Sequence, residues 1–406
     1  GVDLIMLIFH LQYLSVDLGL LAELVGMVIA VAGGGVVLLA NVGDLLIPGE
    51  EGSVAGPYPT IAQDQSDRNV PVVTTTGAYR YVGQLVVSFD KDGEVLDVID
   101  ESGPVRVTTG ADNPDAVEPD PVVQAAVVEP VAAFVEDLAT TPVGVTQTPL
   151  DSRRGVVAGG VVTVRGERVS ETNLGDLATD AYIAKATELA PDFGVDAPDV
   201  AITNGGGIRE PDTVLFPNAT PDAPESVSRL DVDNQFPFPN FLTVSADVPV
   251  TTLKELLERG VSAFPSANGR FTQVSGLVYR WDSTGTAQTR DDGPQGTCDI
   301  ITPGERIEYI ALDPGNDGDP SNDIVLFDAT AGGWQVDEAA VAVDIASIDF
   351  LSIGEGDCYD FGPVDTTRLG VLYGQVVEEF IADDLSGVIS AADYPFEGTA
   401  RIQQIG

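Results

Sequence analysis

Val200-Ala201-Ile202-Thr203-Asn204-Gly205-Gly206-Gly207-Ile208-Arg209 is the stretch on which the reading of this chain turns. An apolar, β-branched run ends in three glycines. That pattern predicts a strand, Val200–Thr203, entering a tight turn. Glycines there let backbone amides approach a ligand, and an arginine behind them can hold an anion or a hydroxyl. Taken alone, the segment reads equally as an ordinary turn with a surface arginine, so its surroundings must decide.

Upstream, Leu174, Leu177, Ala178, Ala181 and Ala184 fall on one face of a helix that Pro191 is expected to end. Downstream, Leu242–Ser245, Leu277–Trp281 and Ile324–Phe327 read as strands. Thr252-x-x-Glu255 predicts a capping box opening a helix through Leu256, Leu257 and Val261. A last helix is expected near Val371–Ile381. The first 47 residues alternate strand-like and helix-like runs (Leu4–Phe9, Val16–Val25, Val28–Ala32), the rhythm of parallel strands with helices between them. Residues 71–99 are β-rich, with a hairpin signal at Asp92-Gly93. Asp112–Asp120 is an Asp/Pro/Asn-rich hinge, followed by a connecting helix over Val122–Leu138. The expected organisation is residues 1–111, a hinge and helix over 112–144, and a second domain over 145–406. No internal repeat is visible.

With 406 residues and 44% hydrophobic content, the chain can build two or three cores. It has 64 acidic and 19 basic residues, a formal charge of −45, and three lysines (Lys91, Lys185, Lys254). That balance excludes a nucleic-acid binder, which needs cations to neutralise phosphates. The acids are dispersed, which favours a solubilising surface over a site for anions. Cys298 and Cys358 lie in polar loops and read as one disulfide or two inert thiols, the bridge in an oxidising compartment being the expectation. The chain opens at Gly1 with neither a methionine nor a signal segment, so a preceding part is expected to have been removed or left out. Leu24–Gly43 carries no charge, yet its glycines argue for a buried strand and loop over a membrane span.

The glycine turn is one of five ordered blocks. They are Arg168-x-x-Glu171-Thr172-Asn173-Leu174-Gly175-Asp176-Leu177; the turn itself; Phe236-Pro237-Phe238-Pro239-Asn240; Gly269–Leu277; and Asp349-Phe350-Leu351 leading to Gly354-Glu355-Gly356-Asp357-Cys358. In this order they resemble the C-terminal domain of the 5′-nucleotidase family, which includes UDP-sugar hydrolases and 2′,3′-cyclic phosphodiesterases. The resemblance covers Val145 to Gly406. It implies that Arg168, Asn204 and Arg209 hold the ribose and the anionic side of a nucleoside 5′-phosphate or nucleoside, with Gly206 and Gly207 shaping the turn. It further implies that Phe238 and Phe350 stack the base, that Asn240 reads its edge, and that Asp357 accepts from the ribose hydroxyls. An ionised carboxylate is acceptor-only and suits a diol. Phe350, in an apolar run, also reads as core. The family's Gly-Gly-Asp-Gly appears here one residue longer and with a cysteine. The Gly269–Gly276 block reads as packing.

Residues 1–105 resemble the last part of the metallophosphatase domain of the same family. The implied fold is therefore α/β and α+β: the C-terminal part of a four-layer α/β sandwich, then an α+β nucleotide-binding domain. His10, in Phe9-His10-Leu11-Gln12, matches a metal-binding histidine, or reads as a satisfied core residue. Val31–Ala40 matches the loop that supplies further ligands, but here it is Gly33-Gly34-Gly35-Val36-Val37-Leu38, without a donor side chain. The family's phosphomonoesterase chemistry uses two divalent ions (zinc, manganese or similar), and one histidine cannot hold them. None is expected to be bound by this chain. Two functions follow: part of a secreted, periplasmic or cell-surface nucleotide phosphohydrolase, this chain inactive alone, or an inactive nucleoside-binding or extracellular filament protein. The open partner readings are self-association and a missing N-terminal half.

Overall fold

The computed structural model describes residues 4–11, 13–34, 37–110, 113, 115–209, 211–293, 296–314 and 320–406. Gln12, Gly35, Val36 and Asp112, which belong to motifs named above, lie outside them. The chain divides into two units, Gly1–Val128 and Glu129–Gly406. The division falls within a helical stretch over Pro121–Val123, Gln124–Val128 and Glu129–Thr140, capped by the Asp120 carboxylate accepting from the N–H groups of Val122 and Val123.

In the first unit, β1 (Met6–Phe9), β2 (Ile29–Ala32), β3 (Thr60–Gln63) and β4 (Asn69–Val73) form a sheet of order β1-β2-β4-β3. β1, β2 and β4 run parallel, and β3 is an antiparallel edge. Helix α1 (Leu14–Leu21) makes the crossover between β1 and β2, and its Leu21 joins Ala30, Val70 and Val72 in a small core. The hairpin signal is realised: Val87–Phe89 pairs with Val95–Val98 around a turn closed at Gly93.

The second unit is built on α2 (Asn173–Phe193) and two five-stranded mixed sheets. The first contains β5 (Val200–Asn204), β6 (Phe241–Pro249), β7 (Thr272–Ser275), then β12 (Ala342–Ile348) and β13 (Thr366–Leu372), in the order β7-β5-β12-β6-β13. Only β5 and β12 pair in parallel. The second contains β8 (Leu277–Trp281), β9 (Ile307–Leu312), β10 (Ile324–Asp328), β11 (Gly333–Trp334) and β14 (Ile402–Gln404), in the order β11-β10-β9-β8-β14. Every residue of β5 is buried, as expected of an interior strand covered on both faces. α2 lays Leu177, Ala178, Ala181, Tyr182 and Ala186 into this core; small residues on that face let the helix approach the sheet closely.

Two expectations are corrected. Pro191 does not end α2, which continues to Phe193 and stops at Gly194 in the left-handed region (φ 70°). So near the terminus the ring removes a single helical N–H, too little to stop the helix. Thr252-x-x-Glu255 is not a capping box. Helix α3 (Val250–Val261) has Pro249 in place of Thr252 at its N-cap, because β6 runs straight into it and the buried Val250 N–H bonds to the carbonyl of Val341. A capping box does form at Ser228 with Asp231.

The glycine turn is set by backbone contact. A Cβ on Gly205 would stand 2.0 Å from the carbonyl oxygen of Glu167, so only glycine lets β5 end against the Glu167–Arg168 segment. At the C-terminus, the buried Glu171 carboxylate accepts from the N–H groups of Thr399 (2.5 Å), Ala400 (2.9 Å) and Ile402 (2.8 Å), pinning β14 beneath α2. Beside it Asp176 is fully buried. Burial holds its pKa well above the usual carboxylate range, with Glu171 and Asp180 adding to the effect and Arg401 opposing it.

Gly205→Ala is expected to cost about 1–3 kcal/mol or more by overpacking, read as a lower urea midpoint with an unchanged slope. The raised pKa of Asp176 means that the native state keeps a proton the unfolded chain has lost. Stability should therefore fall as pH rises from about 4, the unfolded value, towards the native pKa. Asp176→Asn is expected to match the wild type near that lower limit and exceed it at pH 8 in urea unfolding.

Candidate functional site

The strand register brings the predicted residues to one end of the first sheet of the second unit. Ala201 pairs with Ala346 and Leu242 with Ile348, so the end of β5, the end of β12 and the start of β6 lie together. Asn204 closes β5. Asp349 and Phe350 follow β12, and Phe238-Pro239-Asn240 precede β6. The Phe241 N–H donates to Asp349 Oδ1 at 3.1 Å, tying two of these ends. Asn204 Nδ2 donates to Asp357 Oδ2 at 2.7 Å, which brings the longer, cysteine-containing loop onto the glycine turn.

Both aromatic rings are available. Phe238 is 39% and Phe350 is 42% exposed, so the reading of Phe350 as core is corrected. Each ring has one covered face. The Arg209 guanidinium lies 5.3 Å from the centroid of Phe238, a cation–π contact. Gly356 lies against Phe350, where a Cβ would come within 2.4 Å of the ring. Phe238 also borders a cavity of about 430 Å³ with Phe236, Leu372 and Gln375.

The polar groups carry spare hydrogen-bonding capacity. Arg168 is half-buried, with Nε and Nη2 out of solvent and without a hydrogen-bond partner among the described residues. Burial lowers its pKa first, then the neighbouring Arg154 and Arg209 guanidiniums. The adjacent Glu167 carboxyl is buried with neither oxygen facing a donor, and burial, reinforced by Asp151 and opposed by Arg168, pushes its pKa well up. Glu167 therefore makes no hydrogen bond to Arg168, and those two guanidinium nitrogens keep their donors. Asn204 Oδ1 is likewise buried without a partner. The half-buried Asp357 uses one oxygen on Asn204, leaving acceptor capacity on the other.

The glycines act differently from the expectation. The N–H groups of Gly205, Gly206 and Gly207 donate to the carbonyls of Phe271, Gly269 and Asn204. They allow close packing of the turn and offer no amide to a ligand. Asn240 is half-buried at the entry to β6, its carbonyl accepting from the Tyr373 N–H.

Three residues escaped the sequence reading. Arg154 reaches Arg168 because its carbonyl accepts from the Arg168 N–H, a pairing between segments that nothing in their spacing announces. The fully buried Tyr373 accepts from the Phe238 N–H (3.1 Å) and donates to the Gly207 carbonyl (3.0 Å), joining the aromatic loop to the turn. Arg259, in α3, donates through Nε to the Asp357 carbonyl at 2.7 Å. In the sequence, Tyr373 and Arg259 are simply members of amphipathic helices. Cys298 and Cys358 are joined in a disulfide, with Cα atoms 5.3 Å apart.

The described residues of the first unit gather no cluster of metal ligands. His10, the single histidine of the chain, is exposed, which corrects its reading as a core residue. Its ring lies near Gly33, where a Cβ would be 3.4 Å from Nδ1, and Gly33 and Gly34 bring no ligand. Among the described residues no group of three or more His, Cys, Asp or Glu could hold a metal ion. The donor set does not fit a two-metal phosphatase site. Among the same residues no helix is long and apolar enough to cross a membrane.

The family profile described as "5'-nucleotidase, C-terminal domain" matches residues 142–321. Over 204 residues the chain is 32% identical to the trifunctional nucleotide phosphoesterase protein YfkN of Bacillus subtilis (strain 168), covering 49% of this chain and 11% of that protein. It is 29% identical over 230 residues to Protein 5NUC of Lutzomyia longipalpis (55% of this chain, 36% of that one) and 27% identical over 228 residues to the 5'-nucleotidase of Bos taurus (56% and 35%). This chain thus aligns with little more than a third of those relatives at most. The solved 5'-nucleotidase precursor from Thermus thermophilus has a similar fold, with a TM-score of 0.55 at 23% identity, covering all of this chain and 64% of that one. Residues 142–321, which hold the glycine turn and Phe238, thus match the C-terminal domain of 5′-nucleotidases, and over about half of its length the chain is similar to nucleotide phosphoesterases.

Proposed function

We propose that this chain is the nucleoside-binding part of a secreted nucleotide phosphohydrolase of the 5′-nucleotidase type. The observation that carries the reading is the Asn204–Asp357 hydrogen bond, which joins the glycine turn to the loop after the half-exposed Phe350. It leaves a carboxylate oxygen for a diol beside guanidinium donors for an anion. Phe238 and Phe350 would sandwich the base, Asp357 would accept from the ribose hydroxyls, and Arg168 and Arg209 would face the 5′-phosphate. Asn240 would meet the base edge. A disulfide favours an oxidising compartment, periplasmic, cell-surface or extracellular.

In this reading residues 1–111 are the tail of a four-layer metallophosphatase sandwich, 112–144 a hinge and helix, and 145–406 the substrate domain. The parallel order of β1, β2 and β4 supports the first assignment. The two divalent ions of the parent enzyme would be held by residues that this chain lacks, so the chain alone binds without hydrolysing. A second reading, a nucleoside-binding protein that has lost its chemistry, is favoured by the lack of a metal-binding group among the described residues.

Calorimetric titration at high salt is expected to give saturable binding of adenosine and AMP. Phe238→Ala should weaken adenosine by about 5- to 150-fold, the equivalent of roughly 1–3 kcal/mol of stacking. A folded chain that binds neither ligand sinks the proposal and leaves the structural reading of the acidic protein.

A further inference from the structure

We infer that the Cys298–Cys358 disulfide is a positioning device for the diol-recognising carboxylate. The inference rests on the nucleoside reading of the site, and concerns what holds Asp357 where that reading needs it.

The segment that presents Asp357 is conformationally unfavourable. Glu355, Asp357 and Cys358 all lie in the left-handed region, with φ of 48°, 56° and 58°. Side chains with a Cβ avoid that region because Cβ crowds the following carbonyl. Such a conformation persists only where its surroundings over-determine it. Here they do so at successive atoms. The Asp357 carboxylate accepts from Asn204. Its carbonyl accepts from Arg259, which is almost wholly buried and also paired at 2.9 Å with Asp292. The next residue is bonded through sulfur to Cys298, which follows Asp292 in the sequence. The residue after that, Tyr359, is fully buried, its hydroxyl donating to the Arg270 carbonyl at 2.6 Å.

A loop that merely joined Ser352 to β13 would not need a tether on each of three successive residues. The disulfide thus acts on the carboxylate, one residue away along the chain. A purely structural cross-link, closing a 60-residue separation, would lower stability on removal and weaken every ligand alike. A positioning bridge should instead affect the diol.

The test compares adenosine with 2′,3′-dideoxyadenosine by calorimetry on the intact chain at high salt. The wild type should prefer adenosine by about 10- to 150-fold, the scale of hydrogen bonds to a charged group. In Cys298→Ala/Cys358→Ala the preference should collapse to below about threefold, the dideoxy ligand being held within about twofold of its wild-type affinity. Cys298→Ala/Cys358→Gly should recover most of the preference, because glycine adopts a positive φ without crowding. If the alanine pair fails to fold, the glycine pair and the wild type reduced under native conditions carry the comparison. An unchanged preference in the alanine pair or the reduced wild type, or a parallel loss of both ligands in a folded protein, overturns the inference while leaving the nucleoside site standing. A wild type that binds neither ligand overturns the site itself, and the inference with it.

Discussion

The side chain of Gln273 organises the second unit. It is fully buried on β7, beside the strand that ends in the glycine turn, where Thr203 and Gln273 are register partners. Its Nε2 donates to the carbonyls of Glu167 and Ser170, and its Oε1 accepts from the N–H of Thr172, the N-cap of α2. One amide therefore satisfies the backbone of the Arg168 loop and of the helix entry at once. A buried polar group that lost any of these partners would carry a desolvation cost of about 1–3 kcal/mol. Gly175 packs so close to this amide that a Cβ would meet it at 2.4 Å. This arrangement holds the Glu167–Ser170 segment against β7.

A chain with 64 acidic and 19 basic residues has few cations to spend indoors, and their placement is instructive. Arg401 is bound to Asp180 through both terminal nitrogens, next to Asp176 and Glu171. Arg306 gives one nitrogen to the carbonyls of Val261, Ser262 and Phe264, closing the end of α3, while its own N–H bonds to the buried Glu258. These are structural pairings, satisfied on every side, and removing one partner of such a buried pair typically costs about 3–5 kcal/mol. Arg168 differs: it is half-buried, and among the described residues its Nε and Nη2 have no hydrogen-bond partner.

The first unit shows the opposite balance. Its sheet is well formed, yet where the resemblance calls for ligands, the chain has Gly33 and Gly34 beside an exposed His10. A parallel βαβ scaffold needs only apolar strands and a crossover helix. Chemistry sits in loops at the strand ends and can change while the scaffold stays the same.

Periodicity and glycine determined much by themselves. Leu277–Trp281 is a strand with the bounds its apolar residues predict, Val200–Thr203 extends by one residue, and the Asp92-Gly93 hairpin forms where expected. These features rest on local preferences, which the chain carries wherever it lies. The ordered motifs also identified the blocks that the sheet end collects. Local signals failed where another segment supplied the partner. Thr252 lost its capping role to β6, and Pro191 was too near the terminus to stop α2. Only the tertiary structure decided that Arg154 joins Arg168, that Tyr373 ties Phe238 to Gly207, and that Arg259 and Cys298 hold the Asp357 loop. Those contacts link residues from 14 to 166 positions apart; they depend on strand order and register, which a linear pattern of residues does not encode.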